Sequence, residues 1–203
     1  MTRRTEWPEG DGPAPPNSGG ASSSRAEEAP PPAPRDPVEQ ARAICLRLLT
    51  GTPRTRQQLA DALRKRGIPD EAADEVLSRF EEVGLIDDAS FADAWVESRH
   101  RGRGLARRAL ARELRTRGVE STVIDGALGQ LDSAQEEETA RALVERRLRT
   151  TRGLPPEKRL RRLAGMLARR GYPEGLALRV VRQALAEEGA EDAETLERYL
   201  PDA

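Results

Sequence analysis

Three copies of one short phrase constrain the fold of this chain more than any other feature. Leu59-Ala60-x-x-Leu63-x-x-Arg66-Gly67-Ile68 returns as Leu110-Ala111-x-x-Leu114-x-x-Arg117-Gly118-Val119, and again as Leu163-Ala164-x-x-Leu167-x-x-Arg170-Gly171-Tyr172. The offsets of 51 and 53 residues have the length of a helical repeat. Each phrase sets two leucines four apart on one helical face, then places a glycine that can take positive φ and end the helix. The apolar residue after the glycine can close the cap against the preceding turn. A second amphipathic segment follows every time.

Only 3% of the 203 residues are aromatic, against 34 Lys+Arg and 35 Asp+Glu. Leu and Ala must therefore do most of the packing, which favours helices over sheets. No run of about 18 apolar residues is present to span a membrane. The opening Met1-Thr2-Arg3-Arg4 has no apolar stretch behind it, which argues against a secretory signal and for the cytoplasm. Residues 1–37 hold nine of the 15 prolines among Gly and Ser, and read as a disordered tail.

From residue 38 onward the pattern is helical. Segment 38–49 puts Val38, Ala41, Ile44, Cys45, Leu48 and Leu49 on one face, with Gly51 and Pro53 as its stop. Thr55 is the expected N-cap of helix 56–66, with Gln58 at the capping-box position. Pro69 suits the first turn of the next helix, which buries Ala73, Val76, Leu77 and Phe80. The second unit has helix 89–100, with Phe91, Ala94, Trp95 and Val96 inward. Gly102 and Gly104 then loosen the chain before helices 105–117 and 120–131. The third has 134–149, 156–170 and 173–187.

The expected fold is all-α. Three tandem three-helix repeats, 38–86, 87–131 and 132–188, would stack in an elongated, curved, solenoid-like row, followed by an acidic tail at 189–203. An ordinary helical bundle with chance similarity is the competing fold.

Catalytic chemistry is hard to find. His100 lies beside Arg99 and Arg101 with no Cys or second His near it, so neither a metal site nor a triad is indicated. Arg101-Gly102-Arg103-Gly104 lacks the strand and Lys-Ser/Thr of a phosphate loop. Cys45, the only cysteine, sits in an apolar run and reads as core. No catalytic residue, metal or cofactor is expected.

Charge is strongly segregated. From Arg99 to Arg117 there are eight arginines against Glu113 alone; 119–138 has six acids and no base; 139–170 has eleven bases against two acids. Arg108, Arg112 and Arg115 can form one exposed rail opposite Leu110 and Leu114, with Arg101 and Arg103 on a loop before it. Lys158, Arg161, Arg162 and Arg169 make a parallel device in the third unit. Guanidinium can pair with phosphate or carboxylate, and the residues leave that choice open. No aromatic is interleaved with these arginines, so no stacking platform for single strands is indicated, and any DNA binding would be electrostatic and sequence-blind. Solvated helix faces, paired with Glu113, Glu145 and Glu157, are the bland alternative.

Ala41-x-x-x-Cys45-Leu46-x-Leu48-Leu49, Thr55-Arg56-x-x-Leu59 and above all Val76 to Gly118 resemble the RecX family, bacterial regulators of the recombinase RecA. The distinctive strings are Val76-Leu77-x-x-Phe80-Glu81-Glu82-Val83-Gly84-Leu85-Ile86-Asp87-Asp88 and Phe91-Ala92-x-Ala94-Trp95-Val96-x-Ser98-Arg99. The resemblance covers roughly 38–188. It implies a non-enzymatic, monomeric protein that binds the RecA filament on single-stranded DNA. Such a protein restrains ATPase, strand-exchange and co-protease activities, a role in recombination, DNA repair and the SOS response. Its groove-facing basic residues would be matched by Arg99, Arg101, Arg103, Arg108 and Arg112, with Arg115 and Arg117 as further candidates. An independent, sequence-nonspecific DNA-binding protein is the alternative function; a generic helical scaffold is a third.

Overall fold

A computed structural model describes residues 36–199, with side chains described to 189. The proline-rich tail expected to be disordered lies outside the described residues, apart from Asp36 and Pro37, as do 200–203. Among the described residues nine α-helices run in order: α1 (Pro37–Gly51), α2 (Arg56–Arg64), α3 (Asp70–Glu82), α4 (Asp88–Arg103), α5 (Arg107–Thr116), α6 (Ser121–Gly129), α7 (Ser133–Leu148), α8 (Pro156–Arg169) and α9 (Glu174–Tyr199), with a 3-10 turn at Arg149–Thr151. No strand occurs among the described residues.

The repeated phrase acts as a helix stop in all three places. Leu63, Leu114 and Leu167 each accept, at 3.2 Å, the amide of the apolar residue five positions on: Ile68, Val119 and Tyr172. The glycine amides of Gly67, Gly118 and Gly171 close the inner bond to Arg64, Arg115 and Ala168, which completes a Schellman motif. The six leucines of the phrase's first and second positions are all buried.

Each unit then closes its own apolar core. The first gathers Ala41, Cys45, Leu59, Leu63, Val76, Leu77, Phe80 and Ile86. The second gathers Ala92, Val96, Leu110, Leu114, Ile124 and Leu131. The third gathers Val144, Leu163, Leu167, Tyr172, Val180 and Val181, and also takes in Ala106 from the unit before it.

Polar junctions join the units, and the two junctions match. The Thr55 hydroxyl donates to the carbonyl of Arg117 at 2.6 Å, and at the aligned position the Ala106 amide donates to the carbonyl of Arg170 at 2.9 Å. Asp88 accepts the Arg56 amide at 2.9 Å, and Glu136 accepts the Arg107 amide at 3.0 Å. Thus a carboxylate from the next unit satisfies the exposed helix N-terminus of the unit before it. Gly118 and Gly171 permit the close approach: a Cβ on Gly118 would collide with the Gln57 side chain, and one on Gly171 would stand 2.5 Å from the Ala109 amide nitrogen.

The expected Thr55 N-cap forms, and its capping box is complete, with Gln58 doing the acid's work as an amide acceptor. Several other sequence expectations need correction. Pro69 is the N-cap of α3 rather than its first helical residue. Gly102 does not loosen the chain: α4 continues through it, so Arg101 and Arg103 lie on the helix's last turn and not on a loop, and Gly104 makes the left-handed cap. Ala94 is exposed, while its neighbour Ala92 is buried. Phe91 and Trp95 do pack against the second core, but only half-buried at its edge. Helix α9 runs on past 187 to Tyr199, into the segment read as an acidic tail.

Candidate partner-binding arginine faces

Helix α5 buries Ala109, Leu110, Ala111 and Leu114, which leaves Arg108, Arg112 and Arg115 exposed on the other side. None of these three makes an ion pair among the described residues. The acid of the same helix, Glu113, is used elsewhere: it accepts from the Trp95 indole at 2.8 Å and lies 3.7 Å from Arg99. The intrahelical pairing that would make the rail a neutralised surface is therefore not formed at Glu113. At Glu157, Arg161 reaches the main-chain carbonyl rather than the carboxylate.

Arg99 sits differently from the rest. Its side chain is only 25% exposed, and its guanidinium lies 4.1 Å from the Trp95 ring centroid. Arg117 lies over the same ring at 3.7 Å, and Phe91 stacks beside it at 5.8 Å. Folding thus brings an aromatic among the arginines, which the linear pattern did not show. Cation–π contact with Trp95 engages both guanidiniums, and Arg99 also pairs with Glu113, so Arg99 is held inside the protein rather than presented.

Arg101 pairs with Glu97 at 2.6 Å and lines a cleft of about 660 Å³ together with Arg103, Arg146 and Arg170. This cleft spans the end of α4 and the face of α7. Two of its backbone carbonyls are held by the third unit: the Tyr172 hydroxyl donates to Gly104 O at 3.2 Å, and Arg170 to Arg103 O at 3.2 Å. Burial, with lesser repulsion from Glu136, pushes the Tyr172 hydroxyl well above its ordinary pKa.

In the third unit Lys158, Arg161 and Arg162 are exposed on α8. The structure does not gather them into one site. Arg162 instead joins Arg147, Arg169 and Arg170 around a smaller cleft. Sequence reasoning missed Arg146 and Arg147 at the end of α7 and Arg170 at the cap of α8, because no spacing links the two helix ends.

His100 is buried at the second junction. Its Nδ1 lies 2.9 Å from the Leu105 carbonyl, which can only accept, so Nδ1 carries a proton; Nε2 lies 3.1 Å from the Thr139 hydroxyl. It ties α4 to α7. Burial pushes the Cys45 thiol up from its ordinary pKa, which disfavours a reactive thiolate. No group of three His, Cys, Asp or Glu is placed to hold a metal among the described residues, and no described helix is long and apolar enough to cross a membrane.

Comparison with known proteins agrees with this architecture unit by unit. Family models for the first, second and third three-helix domains of RecX match residues 41–80, 87–128 and 135–181. Regulatory protein RecX of Streptomyces lividans is 77% identical over 180 residues, covering 89% of this chain and 94% of the relative. That of Thermobifida fusca is 65% identical, covering 78% and 86%. The crystal structure of RecX from Lactobacillus salivarius superposes with a TM-score of 0.68 at 17% identity, over 73% of this chain and 96% of that one, a likeness of fold.

Proposed function

The chain belongs to the RecX family of regulatory proteins, and on that premise we propose that it binds the RecA filament on single-stranded DNA and mainly inhibits its ATPase, strand-exchange and co-protease activities. It acts in the cytoplasm, as a monomer and without catalysis of its own. The three repeats, 38–86, 87–131 and 132–188, occupy the filament groove across neighbouring recombinase protomers. Bound there, they block the second DNA or the repressor substrate, or favour filament disassembly.

The observation that carries this reading is the α5 rail. Arg108, Arg112 and Arg115 are exposed, without ion-pair partners among the described residues, on a helix whose opposite face is locked in the core. Such a row of guanidiniums is suited to acidic protein surface or to phosphate. Arg101 and Arg103 extend it toward the third unit, where Lys158, Arg161 and Arg162 contribute further charge. Arg99 supports the surface from within through Trp95.

The second reading, an independent sequence-nonspecific DNA binder, is favoured by the arginine-lined clefts, one between α4 and α7 and one within the third unit. Capture by filament and by bare single-stranded DNA at equal salt separates the two. Preferential capture by filament supports the regulator; equal capture with the same steep loss on adding salt supports the independent binder.

A further inference from the structure

Four arginines converge on a small cleft in the third unit. Arg147 and the hydroxyl-bearing Thr150 and Thr151 come from the end of α7 and its 3-10 turn. Arg162 and Arg169 come from α8, and Arg170 from its cap. The cleft holds about 260 Å³, and Leu163 and Met166, both buried, form its apolar floor. No carboxylate lines it.

Among the described residues, no acidic partner accounts for this gathering of like charge. Two helices end here, and their free carbonyls could in principle attract cations. Those carbonyls are already engaged. Arg147 O accepts from the Thr150 hydroxyl at 2.7 Å, and Leu148 O from the Thr151 hydroxyl at 2.7 Å. Leu167 O takes the Arg170 and Tyr172 amides, Ala168 O the Gly171 amide, and Arg170 O the Ala106 amide. The carboxylate of Glu188 on α9 is held by Arg152 and Arg159. Arg147, Arg162 and Arg169 make no ion pair among the described residues.

We propose that this cleft is a binding site for a phosphoryl oxyanion, either a phosphodiester of nucleic acid or a free diphosphate. Shape separates it from the α5 rail. A carboxylate is planar and offers its lone pairs within that plane, enough for the two guanidiniums that hold Glu188, while arginines in a row can meet either anion one at a time. A phosphoryl group is tetrahedral and presents oxygens in several directions, which suits guanidiniums converging from different helices. The apolar floor lowers the local dielectric and strengthens each contact. The volume falls below the roughly 300 Å³ at which pockets for whole small molecules begin, so the cleft takes one or two phosphoryl groups and no base.

The site stands apart from the filament reading, and its test contains no recombinase. Inorganic pyrophosphate is titrated calorimetrically into the full chain, its Arg147→Gln/Arg162→Gln variant, and an Arg47→Gln/Arg66→Gln variant that removes equal charge from exposed positions in the first repeat. Circular dichroism checks that all three keep their helicity. Loss of two charge-assisted bonds is expected to weaken pyrophosphate binding at least about tenfold in the cleft variant and less than about twofold in the control. Equal weakening in both variants, no weakening in the cleft variant, or no saturable binding by the parent overturns the proposal. A labelled single-stranded oligonucleotide then identifies the source. Displacement by pyrophosphate from the parent, absent in the cleft variant, assigns the site to a phosphodiester; cleft-dependent pyrophosphate binding without displacement assigns it to a free diphosphate.

Discussion

Glu136 of α7 accepts the main-chain amide of Arg107 at 3.0 Å, and so caps the N-terminus of a helix in the repeat before its own. The Arg107 side chain adds an ion pair at 3.7 Å, although its buried Nε forms no hydrogen bond. Asp88 does the same for Arg56 one repeat earlier. The repeats are thus joined through helix ends, where orphan donors would otherwise need water.

Replacing Glu136 with Ala leaves the Arg107 amide without its acceptor and is expected to destabilise the protein by about 1–2 kcal/mol. Glu136→Gln keeps an acceptor oxygen and is expected to lose less. Urea denaturation followed by helicity measures both. Equal loss in the two variants would show that charge, not capping, dominates.

The helix-ending glycines give a graded pair. Gly67 has positive φ but open space around it, so Gly67→Ala is expected to cost about 1–2 kcal/mol from backbone strain alone. Gly171 has the same strain, and its added Cβ would meet the Ala109 backbone. Gly171→Ala is therefore expected to shift the thermal midpoint clearly further than Gly67→Ala, and an equal shift would contradict the close-packed junction.

Glu188 gives the third repeat an acid-sensitive lock. Burial pushes its carboxyl up, but hydrogen bonds from Arg152 and Arg159 outweigh this and hold it below the ordinary glutamate value. Folding thus favours the ionised form. Its contribution is present at neutral pH and is lost as pH falls through the carboxylate range toward the folded value. Glu188→Gln is expected to be less stable than the parent at pH 7, with the gap narrowing as the pH is lowered. A gap constant with pH would rule out the ionic lock.

Trp95 is half-buried yet carries two guanidiniums and a hydrogen bond to Glu113. Trp95→Ala is expected to cost about 2–3 kcal/mol, less than the roughly 3–5 of a fully buried aromatic. Trp95→Phe keeps a ring for both arginines and is expected to lose about 1 kcal/mol for the missing indole hydrogen bond. Chemical denaturation of both variants checks the order.

The repeats, their helix faces and their glycine stops were legible because each is set by residues within about one or two helical turns. Leu63, Arg66 and Gly67 specify a Schellman stop without help from elsewhere. The junctions were not legible. Asp88 and Glu136 look like ordinary first-turn acids, and they are 48 residues apart where the phrases are 51 and 53, so no register links them. Gly102 misled because glycine disfavours helix only weakly, and packing of His100 and capping at Gly104 carried α4 past it. The α5 rail could be read from spacing alone. Arg146, Arg147 and Arg170 could not, since three helix ends bring them beside residues far away in sequence.

Binding through the α5 rail is the central claim to test. Arg108→Glu/Arg112→Glu reverses two exposed charges opposite Leu110 and Leu114, so helicity is expected to persist while like charges now face the partner. The decisive measurement is ATP hydrolysis by recombinase filaments on single-stranded DNA, titrated with parent and variant. The account predicts that the parent suppresses hydrolysis and that the folded variant does so only at about tenfold or higher concentration. A folded variant that inhibits as well as the parent would reduce the rail to a solvated face and contradict the account.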